Sequence, residues 1–217
     1  MVISASSAKS LRESVGLVNN VRSINYNSNL NTSIDFSRNS HTNLLLNAKH
    51  WGIIKEWFTQ LKIGGSEKIS LDLLMKASRD GFGWDIFRDR CHRISPTLVI
   101  VHTSFDKLVG GFTPLPWNQS NDQFQYLKDE SKKSFLFSLT NGKKYNIKNH
   151  HFAICNGNQI GPIFGGGSDL EIVHNCNENF NNFSAIGHTY DFNETPEDFY
   201  GGQFYTVKDY EVYEVKY

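Results

Sequence analysis

Long apolar runs are missing from this 217-residue chain. The longest purely aliphatic stretch is Leu98-Val99-Ile100-Val101, far short of the ~20 residues that a membrane-crossing helix needs. Net charge is missing as well: 22 basic and 22 acidic side chains cancel. No bulk cationic field is left to displace counterions from a phosphate backbone, which argues against nucleic acid as the partner. Cysteine is scarce. Cys91, Cys155 and Cys176 are an odd number at wide spacing, a poor disulfide framework that suits a reducing compartment. The first residues, MVISASSAKSLRESVG, contain no basic stretch leading into a long apolar one, so no secretory leader is read there. These features point to a cytoplasmic chain without membrane insertion, in which the sequons at Asn31, Asn118, Asn182 and Asn193 stay unglycosylated.

What is present suffices for a core. Hydrophobic residues make up 39% and aromatics 13%, too rich for a disordered chain. The length predicts one domain, with a Ser/Asn-rich, poorly ordered tail over residues 1–31 and the domain proper over 32–217. Within the tail a short amphipathic helix over Leu11–Val18 is the most that the pattern allows. Trp51, Ile54, Phe58 and Leu61 form one helical stripe, ended by Gly64-Gly65. A second helix is expected from an N-cap at Ser70 through Leu71, Leu74 and Met75. A third follows Gly83, with Trp84, Phe87 and Cys91 on one face.

After Pro96 the period shifts toward two. TLVIVHT (97–103) reads as a central strand, and FLFSLT–Asn141-Gly142–KKYNI as a hairpin with a tight Asn-Gly turn. FAIC (152–155), LEIVH (170–174), GQFYTV (202–207) and YEVYEV (210–215) complete the strands. Short strands broken by Gly, Pro and Asn, with the helices mostly before them, predict an α+β fold. Its centre is a two-sheet antiparallel β-sandwich flanked by a few helices, not a βαβ sheet.

Several local patterns invite chemistry. Phe164-Gly165-Gly166-Gly167-Ser168-Asp169 is rich in glycine, but it lacks Gly-x-Gly-x-x-Gly or Gly-Lys-Ser/Thr spacing and leads into a strand. A tight turn, with Gly166 at positive φ, is therefore expected in place of a phosphate cradle. In Ser78-Arg79-Asp80-Gly81, arginine and aspartate are expected to form a buried fork at a helix end, with the guanidinium donating to carbonyls and Asp80 capping the next turn; Arg79→Ala is expected to weaken folding. A nucleophilic Ser78 would need an imidazole from His92, His102, His150, His151, His174 or His188. His174-x-Cys176, Cys91-His92 and His150-His151 are single pairs, unlike the clustered ligands of zinc sites, and on a strand His150 and His151 would face opposite ways. The run Asn175–Asn182 favours turns over calcium, since it holds few carboxylates. No metal or cofactor is expected.

Read in order, these motifs carry a resemblance. Leu73-Leu74-Met75-Lys76-Ala77-Ser78-Arg79-Asp80-Gly81-Phe82 is followed by Pro96-Thr97-Leu98-Val99, Gly110-Gly111-Phe112 with Trp117, and Ser134–Leu139. The glycine turn Phe164–Leu170, Asn175-Cys176-Asn177, Gly187-His188-Thr189-Tyr190, Gly201-Gly202 and Glu211-Val212 complete the series. Over about 180 residues the chain resembles the TLDc (TBC/LysM-associated) domain of oxidation resistance proteins, departing from it at Met75-Lys76 and in its asparagine-heavy loops. The resemblance implies a two-sheet sandwich, a role in protection against oxidative stress and, as partner, the vacuolar proton-pumping ATPase (V-ATPase), whose assembly it would regulate. It implies no catalytic mechanism and makes Ser78, Arg79, Asp80, Gly81, Gly165, Gly166, Gly167, Asp169, Gly187 and Glu211 structural motif residues. Binding would use an exposed edge or loops of the sandwich. The alternative is a hydrolase or thiol-redox enzyme using Ser78 or Cys176 with a nearby histidine.

Overall fold

The computed structural model describes residues 44–64, 69–118, 124–183 and 185–217. The expected tail over 1–31, its Leu11–Val18 helix and the Asn31 sequon lie outside the described residues. Helix α1 (Ala48–Gln60) opens on Asn47, whose side chain accepts the N–H of His50, and buries Trp51, Ile54, Trp57 and Phe58. Its end is a Schellman turn closed by Lys62 at φ 51°, ahead of the glycines expected to stop it. Lys62 N–H reaches Thr59 O and Ile63 N–H reaches Phe58 O, which satisfies the last carbonyls, while Ile63 turns into the core.

Residues 70–76 are not a helix. They form strand β1 (Ser70–Lys76), followed by the four-residue helix α2 (Ala77–Asp80) and by α3 (Trp84–Cys91). Leu71, Leu74 and Met75 fit a helical stripe, but Leu71, Leu73 and Met75 fit a strand equally well, and pairing with the last strand decides the matter. A bulge between Leu73 and Met75 lets Leu71 and Leu73 face one core while Leu74 and Met75 face the other.

The remaining strands are β2 (Thr97–Thr103), β3 (Leu108–Thr113), β4 (Gln125–Leu127), β5 (Phe135–Ser138), β6 (Lys143–Asn146), β7 (Ile154–Asn156), β8 (Ile163–Phe164), β9 (Leu170–Glu171), β10 (Asn182–Phe183), β11 (Phe204–Tyr205) and β12 (Val207–Lys216), with a short helix α4 (Pro196–Tyr200) before β11. An antiparallel six-stranded sheet runs β1-β12-β2-β3-β5-β6, a four-stranded one β4-β7-β8-β9, and β10-β11 form a ribbon. The α+β architecture with two antiparallel sheets is therefore present. The β5–β6 turn is longer than an Asn-Gly pair: Ser138 faces Lys143, and Gly142, at φ 65°, is its left-handed residue.

The six-stranded sheet is covered on both faces. In β2, Leu98 and Ile100 join Trp51, Ile54, Trp57 and Phe58 of α1 in one core, while Val99 and Val101 face the other core with Ile154, Phe164 and Leu170 of the four-stranded sheet. Each large α1 side chain so buried contributes roughly 2 kcal/mol. Gly111 has no room for a side chain because a Cβ there would lie 2.8 Å from the Phe164 ring, so the sheets approach closely at that point.

Candidate functional site

Two corners of the fold gather the motif residues. The first joins α2 to the end of the chain. Lys76 is the last residue of β1, and its register partner on β12 is Glu211. Its buried ammonium lies 2.7 Å from Glu211 Oε1 and 2.5 Å from Asp209 Oδ2. Glu211 is fully buried; it also accepts the Tyr213 hydroxyl at 2.6 Å and the Leu45 N–H, shared between both oxygens at 3.0 Å. Burial alone would lower the Lys76 pKa, but hydrogen bonds to Asp209 and Glu211 prevail and raise it. Burial, reinforced by Glu211, pushes the Tyr213 hydroxyl well above its ordinary range.

Ser78 belongs to this corner. Its N–H donates to Asp209 Oδ1 at 2.9 Å and its hydroxyl to Asp209 Oδ2 at 2.8 Å. The carboxylate that accepts this hydroxyl is the one that holds the Lys76 ammonium, and that ion pair reduces its basicity. The Arg79–Asp80 fork exists, with Nε at 2.9 Å and Nη2 at 2.8 Å from the two carboxylate oxygens, but it is not buried: the Arg79 side chain is 42% exposed. Asp80 caps backward, accepting the Lys76 N–H at 2.9 Å, and does not cap the following turn. Gly81, at φ 121°, ends α2 by donating to Ala77 O.

The second corner is the glycine turn. Gly165 has φ 89°, and a Cβ there would sit 2.0 Å from Asp169 Oδ2. Asp169 is fully buried, and its carboxylate accepts the N–H groups of Gly187 (2.6 Å), His188 (2.9 Å) and Thr189 (2.9 Å). Burial raises its pKa, with those N–H bonds pulling the other way. Gly166 does not carry the expected positive φ; Gly165 and Ser168 do. Its constraint is steric, since a Cβ would come within 3.0 Å of His188 Cε1 and Phe152 Cβ, while its N–H donates to Thr189 Oγ1 at 2.8 Å. Gly167 is pressed against His188 in the same way. The turn thus clasps the segment Gly187-His188-Thr189-Tyr190.

The thiols are held in the interior. Cys91, Cys155 and Cys176 are free and buried. Burial pushes Cys155 up to about 11 and Cys176 up to about 12, and Cys91 further still, so none is a thiolate at neutral pH. One thiol and one imidazole line the same shallow cleft, formed by Phe87, Arg88, His92, Trp117, Cys155 and Asn156, with room for little more than a water molecule. His92 Nδ1 is buried there without a partner. Among the described residues no histidine is bonded to Ser78 or to a thiol. His102 pairs with Asp106, His174 accepts the Trp84 N–H, and His188 contacts Thr189 Oγ1. His150 and His151 lie on a single helical turn with rings 4.5 Å apart, not on opposite faces of a strand. Among the described residues no three His, Cys, Asp or Glu side chains converge as metal ligands. In the asparagine run, Asn182 is buried and donates to the carbonyls of Cys176, Asn179 and Tyr205, so that sequon's amide is a structural bolt.

Sequence reasoning named Ser78, Asp80 and Glu211 as motif residues and Lys76 as a departure from the family, but gave Lys76 no role and passed over Asp209 and Tyr213. The available signal was a lysine ending an otherwise apolar strand, together with acids and a tyrosine at alternate positions of KDYEVYEV.

Fold and corners together define an α+β sandwich domain whose conspicuous polar residues are bonded into the scaffold. The chain belongs to the TLDc domain family, whose profile matches residues 39–216. No curated protein matches it. Among the described residues no helix is long and apolar enough to cross a membrane.

Proposed function

We propose that this chain is a non-catalytic interaction domain of the cytoplasm that acts in protection against oxidative stress by binding another protein, with subunits of the vacuolar proton-pumping ATPase as the partner. Family membership supports the class of function. The observation that carries the non-catalytic part is the bonding of Ser78. Its hydroxyl is a donor to Asp209, inside an ion cluster centred on Lys76 and Glu211, which supports reading this candidate nucleophile as a strut. The raised thiols support the same view, since a peroxide-reacting cysteine works as an exposed thiolate. Affinity capture from native cytosol with the intact chain, compared with a chain lacking residues 1–30, tests the proposal. Recovery of proton-pump subunits is the expected result. Hydrolase or thiol-peroxidase turnover that disappears in Ser78→Ala or Cys176→Ser, with the melting curve unchanged, would replace it with the enzymatic alternative.

A further inference from the structure

We infer that the outer edge of β4, which among the described residues pairs with β7 alone, is the docking site, and that its occupant is an extended, uncharged segment of the partner added as a further strand; this rests on the interaction-domain function proposed above. The two large sheets end in four strands: β1 and β6, β4 and β9. A free strand edge is a row of backbone donors and acceptors that another strand satisfies, and proteins blunt such edges with charge, bulges, proline or covering elements.

Three of the four edges are blunted. β1 carries the bulge between Leu73 and Met75 and the charge of Asp72, which is held by Lys216. β6 carries Lys143 and Lys144, and the chain beyond it is bridged through Ile147 to Tyr190. β9 is two residues long, and the carbonyl of its Glu171 accepts the Tyr205 hydroxyl. β4, with the sequence Gln-Tyr-Leu, has no charge, no proline and no register shift against β7.

Two large aromatics stand beside this edge. Phe124, immediately before the strand, is 51% exposed, and Tyr126, within it, 41%. Tyr126 is held in place, edge-on to Phe152 with ring centroids 5.4 Å apart and its hydroxyl donating to Gly166 O at 3.2 Å. A strand laid along β4 gains backbone hydrogen bonds from the edge and covers the two rings with its own alternate side chains. That selects β-branched or aromatic residues at every second position.

The test pans phage-displayed random octapeptides on the immobilised full chain and compares wild type with Gln125→Pro, Tyr126→Pro and Tyr126→Lys. Neighbouring N–H groups on a strand point opposite ways, so one proline removes a bond to β7 and lowers the melting point, whereas the other removes an outward donor alone. Tyr126→Lys blunts the edge without touching the backbone. The expected result is enrichment of alternating β-branched or aromatic peptides that slow amide exchange at residues 124–127. Their affinity should fall at least about tenfold for Tyr126→Lys and for the proline variant that melts like wild type. No enrichment, protection elsewhere, or undiminished affinity in those variants overturns the inference. Proton-pump capture by all the folded variants would keep the proposed function and discard the β4 site; selected peptides that need β4 without pump capture would do the reverse.

Discussion

Glu211 and Asp169 are both fully buried carboxylates, accommodated by opposite means. Glu211 meets a cation, a hydroxyl and one backbone N–H, from Lys76, Tyr213 and Leu45. Those groups come from the entry to α1, the end of β1 and the last strand, segments far apart in sequence. Asp169 meets the consecutive backbone N–H groups of one loop, Gly187 to Thr189. The first arrangement couples the helical layer to the sheet, so its loss is felt across the domain. The second shapes a turn against a neighbouring loop, so its loss is felt locally. A buried ion network stabilises only while complete, because any one partner left behind is an uncompensated charge.

The largest effect expected is that of Glu211→Ala. It strands the Tyr213 hydroxyl and the Leu45 N–H and leaves the Lys76 ammonium with Asp209 alone, a loss of about 3–5 kcal/mol. Thermal or urea unfolding measures the loss, and amide exchange should quicken in α1 and β1 together. Next comes Asp169→Ala, which leaves three N–H groups without their acceptor, a loss of about 3 kcal/mol. Here faster exchange should stay within the turn and residues 185–190. If both variants loosen the same set of amides, the distinction between coupling and local shaping is gone. Gly165→Ala is the third, at about 2 kcal/mol, because alanine resists φ 89° and its Cβ would collide with the Asp169 carboxylate. It should behave as a weaker copy of Asp169→Ala in the exchange pattern.

Much of the sheet framework was legible because burial on two faces leaves its mark on composition. TLVIVHT can only be a covered strand, and it occupies the middle of the six-stranded sheet. The glycine turn was readable as a turn, although which glycine takes the positive φ depends on where the Asp169 carboxylate lies. Residues 70–76 were misread because LDLLMK satisfies both periods, and only its distant partner β12 chooses between them. The ion corner was half legible for the same reason. Lys76 and Glu211 are 135 positions apart, and nothing local states that a bulged edge strand sets one against the other. Two-residue strands such as β8 and β9 are fixed by tertiary contact and leave no periodic signal at all.

Acid should also separate carboxylates by the way they are held. Burial, opposed by the backbone N–H groups, holds Asp169 above its ordinary 3.8. The folded state then keeps that proton more tightly than the unfolded chain does. The carboxyl's contribution to stability therefore rises as pH falls through the raised folded value, and levels off below 3.8. At Asp129 burial is overcome by hydrogen bonds from Ser131 and Ser134, and the pKa is lowered. Its contribution is complete above 3.8 and is lost as pH falls through the lowered folded value. Unfolding free energies of wild type, Asp169→Asn and Asp129→Asn between about pH 3 and pH 7 should show the advantage of wild type over the first variant growing on acidification and over the second shrinking. Parallel curves would mean that burial and donors weigh equally at the two sites.

The smallest effect belongs to the residue that looks most conspicuous in the sequence. Arg79 forms a geometrically good fork with Asp80, whose side chain is only 7% exposed, but the guanidinium is 42% exposed, so water and salt screen the pair from the arginine side, and pairs with a solvated partner are worth ~0.2–1 kcal/mol. Asp80 also keeps other partners when Arg79 is removed, since it accepts the Lys76 N–H at 2.9 Å and has Arg90 at 3.6 Å. Arg79→Ala should therefore lower the unfolding free energy by less than about 1 kcal/mol, and the difference should fade as ionic strength is raised past the point where the Debye length drops below ~8 Å. Lys76→Met at the same corner should cost several times as much and should persist in salt, because its charge partners are buried with it. Equal, salt-insensitive losses for the two substitutions would place the weight of the corner on Arg79, and would mean that its fork is held by something other than a solvent-screened contact with Asp80.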